Sequence, residues 1–242
     1  MSLDPRGPDM LFDLAAELGV GSGSHVLDVG CRYGRYTVLL RERLGCRVTG
    51  VEPAPGNLDR LRRTVDPLTA AQAVGEALPF ADGTFDLVWA RDVLVHVPDL
   101  AGAFAEMHRV LRPDGAVLVF HTFATPWLEP GEAARLHETT ATHPPSMDVA
   151  TFDAAVEAGG LRVDRRDVLG SEWRERQEED ATVGPTSRSM LRLARLLRRP
   201  EHYRAMLGDR TYEVEVGNCL WGVYHLIGKL SDEVLVLRPE LG

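Results

Sequence analysis

Long apolar runs are missing from this 242-residue chain, and so is any excess of basic charge. No stretch approaches the roughly 20 apolar residues needed to cross a bilayer. The amino terminus, Met1-Ser-Leu-Asp-Pro-Arg-Gly-Pro, lacks the basic and apolar regions of a secretory leader, so a cytoplasmic protein with no membrane contact is expected. Lys and Arg number 27 against 36 Asp and Glu, a net charge of −9. That balance argues against a nucleic-acid partner, whose phosphates need a basic surface. Cysteine is scarce as well. Cys31, Cys46 and Cys219 are scattered, odd in number and without metal-ligand spacing, which points to reduced thiols filling apolar space, with no structural zinc and no metal. The apolar share of 44% and charged share of 26% exclude disordered and fibrous classes. One α/β domain spanning residues 1–242 is the expectation at this length.

The most informative stretch is His25-Val-Leu-Asp-Val-Gly-Cys-Arg-Tyr-Gly-Arg-Tyr. Val26, Leu27 and Val29 read as a short buried strand, after which Gly30 and Gly34 allow a tight turn and a close approach to a ligand. A helix beginning near Tyr33 or Gly34 would point its free N–H groups at the polar end of a nucleoside-bearing ligand. Asp28 in this turn can accept from an ammonium or hydroxyl. The next strand, Arg47-Val-Thr-Gly-Val-Glu, ends in Glu52, where a second parallel strand places a carboxylate for a ribose diol, and Pro53 ends it. Before these strands, residues 9–19 read as an amphipathic helix packed on the sheet. After them come a helix from Leu58, a third strand at Gln72-Ala-Val-Gly, a buried fourth from Phe85 to Ala90, a helix from Leu100 to Leu111, and a fifth strand at Ala116-Val-Leu-Val-Phe with His121 at its end. Strands alternating with helices imply a parallel sheet, and Arg91-Asp-Val-Leu-Val-His falls at a carboxyl end, where open α/β sheets bind ligands.

Taken together, Val26-Leu-Asp-Val-Gly-Cys with Gly34, Gly50-Val-Glu, Glu76-Ala-Leu-Pro-Phe, Phe85-Asp-Leu-Val, His96-Val-Pro-Asp and Val110-Leu-Arg-Pro-Asp-Gly-Ala resemble the class I S-adenosylmethionine-dependent methyltransferases, in particular their small-molecule branch. The resemblance runs from Val26 to about Thr122. It implies a doubly wound, mostly parallel seven-stranded sheet of the Rossmann-like methyltransferase type, with the cofactor-binding core at about 24–123. It also implies S-adenosyl-L-methionine as cofactor and S-adenosyl-L-homocysteine as product. Carried over by position, Asp28, Gly30 and Gly34, with Cys31 beside them, would line the methionine and ribose parts. Glu52, followed by Pro53, would hold the ribose hydroxyls, Gly75, Glu76 and Ala77 would lie by the adenine, and Arg91 to His96, Asp92 included, would border the reacting methyl. Two positions depart from the family pattern: Arg32 stands where a third glycine is common, and Val74 where an aspartate is common.

Beyond His121 the resemblance thins. Segments of about 124–150 and 171–228 read as helical insertions covering the site, the first proline-rich, the second carrying the basic amphipathic stretch 190–199, read as a solvated face. A mixed-polarity sixth strand, Leu161 to Leu169, suits a sheet edge, and Glu233-Val-Leu-Val-Leu is the final strand. Trp127, Trp173, Trp221 and Tyr224 serve equally as core or as walls of an apolar substrate pocket. A hydroxyl acceptor would need a base, for which the order of preference is His121, His96, Asp92. The leading function is methyl transfer to the oxygen, nitrogen or carbon of a small, partly apolar metabolite, as in secondary metabolism. A homodimer stays open as the assembly. The alternative is a methyltransferase-fold protein that catalyses a non-methylating step such as cyclisation, or that only binds the cofactor. A nicotinamide oxidoreductase is disfavoured because the turn lacks Gly-x-Gly-x-x-Gly.

Overall fold

The computed structural model describes residues 5–63, 70–180 and 187–240. Its centre is a seven-stranded sheet of order β3-β2-β1-β4-β5-β7-β6. The strands are β1 (His25–Val29), β2 (Arg47–Val51), β3 (Ala70–Ala71), β4 (Phe85–Arg91), β5 (Leu111–Ala124), β6 (Leu161–Gly170) and β7 (Leu230–Pro239). The first five are mutually parallel, and β7 pairs antiparallel with both β5 and β6. The expected mostly parallel sheet is thus present, with an antiparallel pair added at one edge.

Helices cover both faces, which is why β1, β4 and β5 read as nearly continuous apolar runs. On one face α1 (Met10–Glu17) and α2 (Arg35–Leu44) bring Leu11, Phe12 and Leu40 against Val26, Leu87 and Trp89. On the other, α4 (Leu100–Val110) and α6 (Val149–Ala158) bring Phe104, Met107 and Phe152 against Val88, Val117 and Phe123. The α4 helix starts where its sequence signals it: the Asp99 side chain caps Gly102 N at 2.9 Å, and Leu100, Ala103, Phe104, Met107 and Val110 are all buried at helical spacing. The remaining helices are α3 (Pro55–Leu61), α5 (Pro130–Thr140), α7 (Glu172–Glu179), α8 (Ser187–Arg198), α9 (Pro200–Leu207) and α10 (Asp209–Leu226).

Several local expectations shift. The third strand is Ala70–Ala71, and Gln72 to Gly75 lie outside it, in a segment closed by an isolated bridge between Val74 and Ala77. The turn expected at Pro113-Asp-Gly is a bulge inside β5, whose register jumps from Phe85↔Leu111 to Leu87↔Ala116. The apolar segment from Asn218 is the second half of the 18-residue α10. Among the described residues no helix is long and apolar enough to cross a membrane. They also contain no group of three or more His, Cys, Asp and Glu side chains arranged to hold a metal.

Candidate cofactor and acceptor site

The chain runs β1, β2, β3 toward one edge of the sheet and then returns to place β4 on the other side of β1. The carboxyl ends of β1 and β4 therefore flank the switch point at which doubly wound sheets hold their ligands. Asp28 lies within β1 and is 3% exposed, and Glu52, which follows β2, is 5% exposed. Glu52 organises the loops around it. Its Oε2 accepts from Arg32 N at 3.0 Å, and its Oε1 from Ala54 N and Asn57 Nδ2, each at 3.0 Å. A carboxylate has about four acceptor positions, so one remains for a ligand hydroxyl even with these donors in place.

The glycine turn has a second physical basis beside the one its sequence suggests. Gly30 sits at φ 73°, and a Cβ there would lie 2.3 Å from Val93 Cγ2. The missing side chain thus admits Val93 from the segment after β4 and locks the two loops together, and Gly30 also lines the cavity above the turn. The Gly30 and Cys31 N–H groups both donate to Val51 O, at 2.9 and 3.0 Å. The donors left over are those of Arg35, Tyr36 and Thr37 in the first turn of α2, which find no backbone acceptor among the described residues. Gly34 is the left-handed cap of that helix, at φ 83°. Arg32 also adopts the left-handed region, at φ 49°, with its side chain turned out over the Tyr33 ring at 5.5 Å. Glycine takes this conformation without a steric penalty, which explains why it is the family's residue here; arginine bears a strain of about 1 kcal/mol.

Above the turn lies a cavity of about 460 Å³ whose lining includes Asp28, Gly30, Cys31, Tyr36, Phe12 and Arg91. Its roof comes from two places far apart in sequence. Gly7, Pro8 and Asp9 reach over it from the amino terminus, and Arg176, Gln177 and Asp180 come from α7 and the residue after it. Arg6 straps them together, giving Nε and Nη2 to the Glu172 carboxylate at 2.7 and 2.6 Å. The leading helix α1, read as packing on the sheet, does so through Leu11 and Leu14 and also closes the cavity with Phe12.

The three candidate bases are placed very differently. His121 is fully buried in β5, with ring contacts to Phe123 and Phe152 at 4.6 and 4.7 Å, and its Nε2 lies 2.8 Å from Ser146 O. That carbonyl requires the proton on Nε2, and Nδ1 is left without a partner. Burial holds the ring well below the usual imidazole range, at about 4. His96 is exposed in a short 3-10 turn, with Nδ1 3.0 Å from Ala141 O. Asp92 is half-buried at the end of β4, with its N–H donating to Phe120 O at 2.9 Å and its backbone in the left-handed region at φ 54°. Burial raises the Asp92 carboxyl, and Asp232 adds to the rise against Arg91, His225 and Arg174. None of Trp127, Trp173, Trp221 and Tyr224 lines the cavity. Trp127 is 75% exposed, Tyr224 packs with Leu136 and Met147, and Trp173 stacks on Phe120 with ring centroids 4.0 Å apart. The cavity's own aromatics, Phe12, Tyr33 and Tyr36, were not singled out from the sequence. The one available signal was that two of them sit in the turn and helix that follow Gly30. Gly75 and Glu76 are half-buried and Ala77 exposed in the turn after β3, beside β2. Pro53 is exposed.

Asp28 gives the site a pH signature. Burial lifts its carboxyl to about 7, against the Thr37 hydroxyl, which donates to it at 2.6 Å, and the Arg91 charge. Between about pH 4 and pH 7 the folded chain keeps a proton that the unfolded chain has released, so this group lowers stability as pH rises. His121 acts in the opposite sense. Between about pH 4 and 6.5 the unfolded chain takes up a proton that the folded chain refuses, so that contribution grows with pH. The wild-type profile blends the two, and Asp28→Asn separates them. The stability difference of the variant relative to wild type should shift in the variant's favour between pH 5 and pH 7.5 in urea titrations; a constant difference would contradict the buried-acid assignment.

Residues 27–119 match the model of a methyltransferase domain. Among named relatives, a methyltransferase of Streptomyces halstedii called GfsG is 31% identical over 171 residues, covering 66% of this chain and 62% of its own length. The chain thus spans less than two thirds of that relative. Solved structures share the fold at low identity. The [4+2]-cyclase SpnF superposes with a TM-score of 0.72 at 18% identity, covering 97% of this chain and 82% of that one. A geranyl diphosphate C-methyltransferase from Streptomyces coelicolor A3(2) gives 0.67 at 16%, covering 96% and 78%. The domain match begins within β1 and takes in the glycine turn, Glu52 and the segment after β4, so residues 27–119 carry a methyltransferase domain.

Proposed function

We propose that this chain binds S-adenosylmethionine across the carboxyl ends of β1, β2 and β4 and directs methyl transfer to a small, partly apolar metabolite in the cytoplasm. The observation that carries this reading is the pairing of two buried carboxylates, Asp28 and Glu52, on adjacent parallel strands around a left-handed glycine turn. The donor set fits the cofactor: Glu52 accepts from a ribose hydroxyl, the free N–H groups of α2 and the Asp28 carboxyl take the methionine end, and residues 74–77 flank the adenine.

The sulfonium supplies an activated methyl group that a nucleophile can take in one step. What the protein adds is position and a dry site, since charge disperses as the methyl moves. The roof strapped by Arg6 and Glu172 covers part of the cavity. None of the three candidate bases Asp92, His96 and His121 lines the cavity, and His121 is enclosed by phenylalanines and bound to a carbonyl, so the step is assigned to positioning and to no base. Of the two sequence segments read as covers, the second supports that role through α7, and α5 in the first contributes no residue to the cavity.

The test is calorimetric titration with S-adenosylmethionine, S-adenosylhomocysteine and NAD in parallel, followed by incubation with candidate metabolites and mass spectrometry. Micromolar binding of the first two and a gain of one methyl are expected. Binding without methyl gain would favour the non-methylating reading, which the likeness to a cyclase keeps in view. Binding of NAD alone would remove both.

A further inference from the structure

Five arginines, Arg32, Arg35, Arg43, Arg91 and Arg176, line the cavity against three aspartates, Asp9, Asp28 and Asp180, a basic balance on an acidic protein; Arg43 is paired with Asp9, and the other four arginines make no ion pair among the described residues. Arg91 is the innermost of the unpaired group and is held by rings. Its guanidinium carbon lies 4.2 Å from the centroid of Tyr36, 5.3 Å from Phe120 and 5.5 Å from Trp173, and its Nε is buried with no hydrogen-bond partner.

Stacking fixes the plane of a guanidinium while leaving its N–H fork unfilled, the arrangement that recognises a carboxylate or phosphate in two-point fashion. Neutralising Asp28 does not account for it. No hydrogen bond or ion pair joins the two side chains, and the Arg91 charge acts on Asp28 only through space. Arg35 and Arg176 are exposed, Arg35 in the first turn of α2 and Arg176 on α7, so charged groups lie at the mouth as well as the floor of the cavity. Phe12 and Tyr36 supply apolar wall between them.

We propose that the acceptor is an organic anion, a small carboxylate or phosphate ester with an apolar body, whose charged end is seated on Arg91 and whose entry is guided by Arg35 and Arg176. This inference rests on the methyltransferase reading for the word acceptor; the anion site itself does not. Arg91 is here a specificity-determining residue, and the cofactor's own methionine carboxylate is the competing claimant on it.

The experiment uses four probes with the same six-carbon body: hexanoate, hexyl phosphate, hexan-1-ol and hexylamine. Each is titrated by ligand-observed NMR into the full chain, with and without S-adenosylhomocysteine, whose own affinity is measured by calorimetry. The two anions should bind at least about tenfold more tightly than the alcohol and the amine, with no loss when the nucleoside is present. Arg91→Gln and Arg176→Gln should each weaken the anions, by about tenfold and about threefold, while S-adenosylhomocysteine affinity moves by less than about twofold. Equal binding of alcohol and anion would overturn the proposal. So would an Arg91→Gln variant that loses S-adenosylhomocysteine, since the guanidinium would then serve the cofactor. The surface variant Arg176→Gln keeps the test open should Arg91→Gln fold poorly. A wild-type chain that binds the anions but no S-adenosylhomocysteine would sink the methyltransferase reading and leave the anion site standing.

Discussion

Replacing Asp232 with alanine should destabilise the protein by about 3–5 kcal/mol, a large share of the 5–15 kcal/mol that holds a domain of this size together. Asp232 on β7 is 2% exposed, and it is the common acceptor of a buried network. Its Oδ1 takes the Thr122 hydroxyl at 2.7 Å and lies 2.8 Å from His225 Nε2, and the other imidazole nitrogen of His225 lies 2.7 Å from Trp221 O. Burial pushes the Asp232 carboxyl up, but the attraction of His225 and the two hydrogen bonds outweigh it and hold the group below the ordinary carboxylate range. Alanine would strand His225 Nε2 and the Thr122 hydroxyl, on residues essentially inaccessible to water, with no partner. Asparagine keeps the shape and one acceptor, so Asp232→Asn should cost about half as much. Urea unfolding at pH 7 measures both. A loss under about 1 kcal/mol for alanine would mean that water replaces the carboxylate and that the network is not closed. The network also ties β5 to the β7–α10 connection directly beneath the site, and Asp232 is one of the charges acting on Asp92. Loss of the carboxylate should therefore also lower the Asp92 carboxyl toward its ordinary value.

Glu52→Ala should weaken S-adenosylhomocysteine binding by about 100-fold. One hydroxyl hydrogen bond to a carboxylate is worth about 1.5 kcal/mol or more, and loosening the loops that Glu52 holds brings the loss to about 2.7 kcal/mol, a factor of about 100. The same carboxylate accepts from Arg32 N, Ala54 N and Asn57 Nδ2, so part of the loss would come from a loosened turn. Glu52→Gln separates the contributions. It retains an acceptor oxygen for the loop while halving the acceptor capacity offered to a diol, and about tenfold weaker binding is expected. Calorimetry gives the affinities, and far-ultraviolet circular dichroism should show the same secondary structure in both variants. Unchanged affinity in Glu52→Ala would remove the ribose assignment.

The strands and their order of appearance were legible because each carries a period or a punctuation mark that local physics enforces. β1 and β4 are nearly continuous apolar runs, broken inside by Asp28 and Asp86, because both their faces are covered, and the Asp99 side chain caps α4. Glu52 was legible for a similar reason, since a charged residue directly after a buried strand has few roles other than capping a loop or meeting a ligand. His121 looked equally promising by position alone, at the end of a strand. Nothing in its local sequence reports that α6 delivers Phe152 onto its ring or that Ser146 O occupies its Nε2. The pocket aromatics failed in the same way: Trp127, Trp173, Trp221 and Tyr224 differ in burial because of neighbours about 10 to 100 residues away in the chain.

By itself, then, the sequence determined the alternating strands and helices, the glycine turn, the strand-end acid and the methyltransferase-domain motifs. All of these depend on interactions between residues close in the chain or on a pattern repeated along it. The tertiary structure alone decided that Gly30 makes room for Val93, that Arg6 and Glu172 join residues 166 positions apart into a roof, and that Arg91 stands among three rings with its donors unfilled. Each of these is a contact across a long loop of chain, whose closure is set by how the helices pack on the sheet, and no spacing along the sequence encodes it.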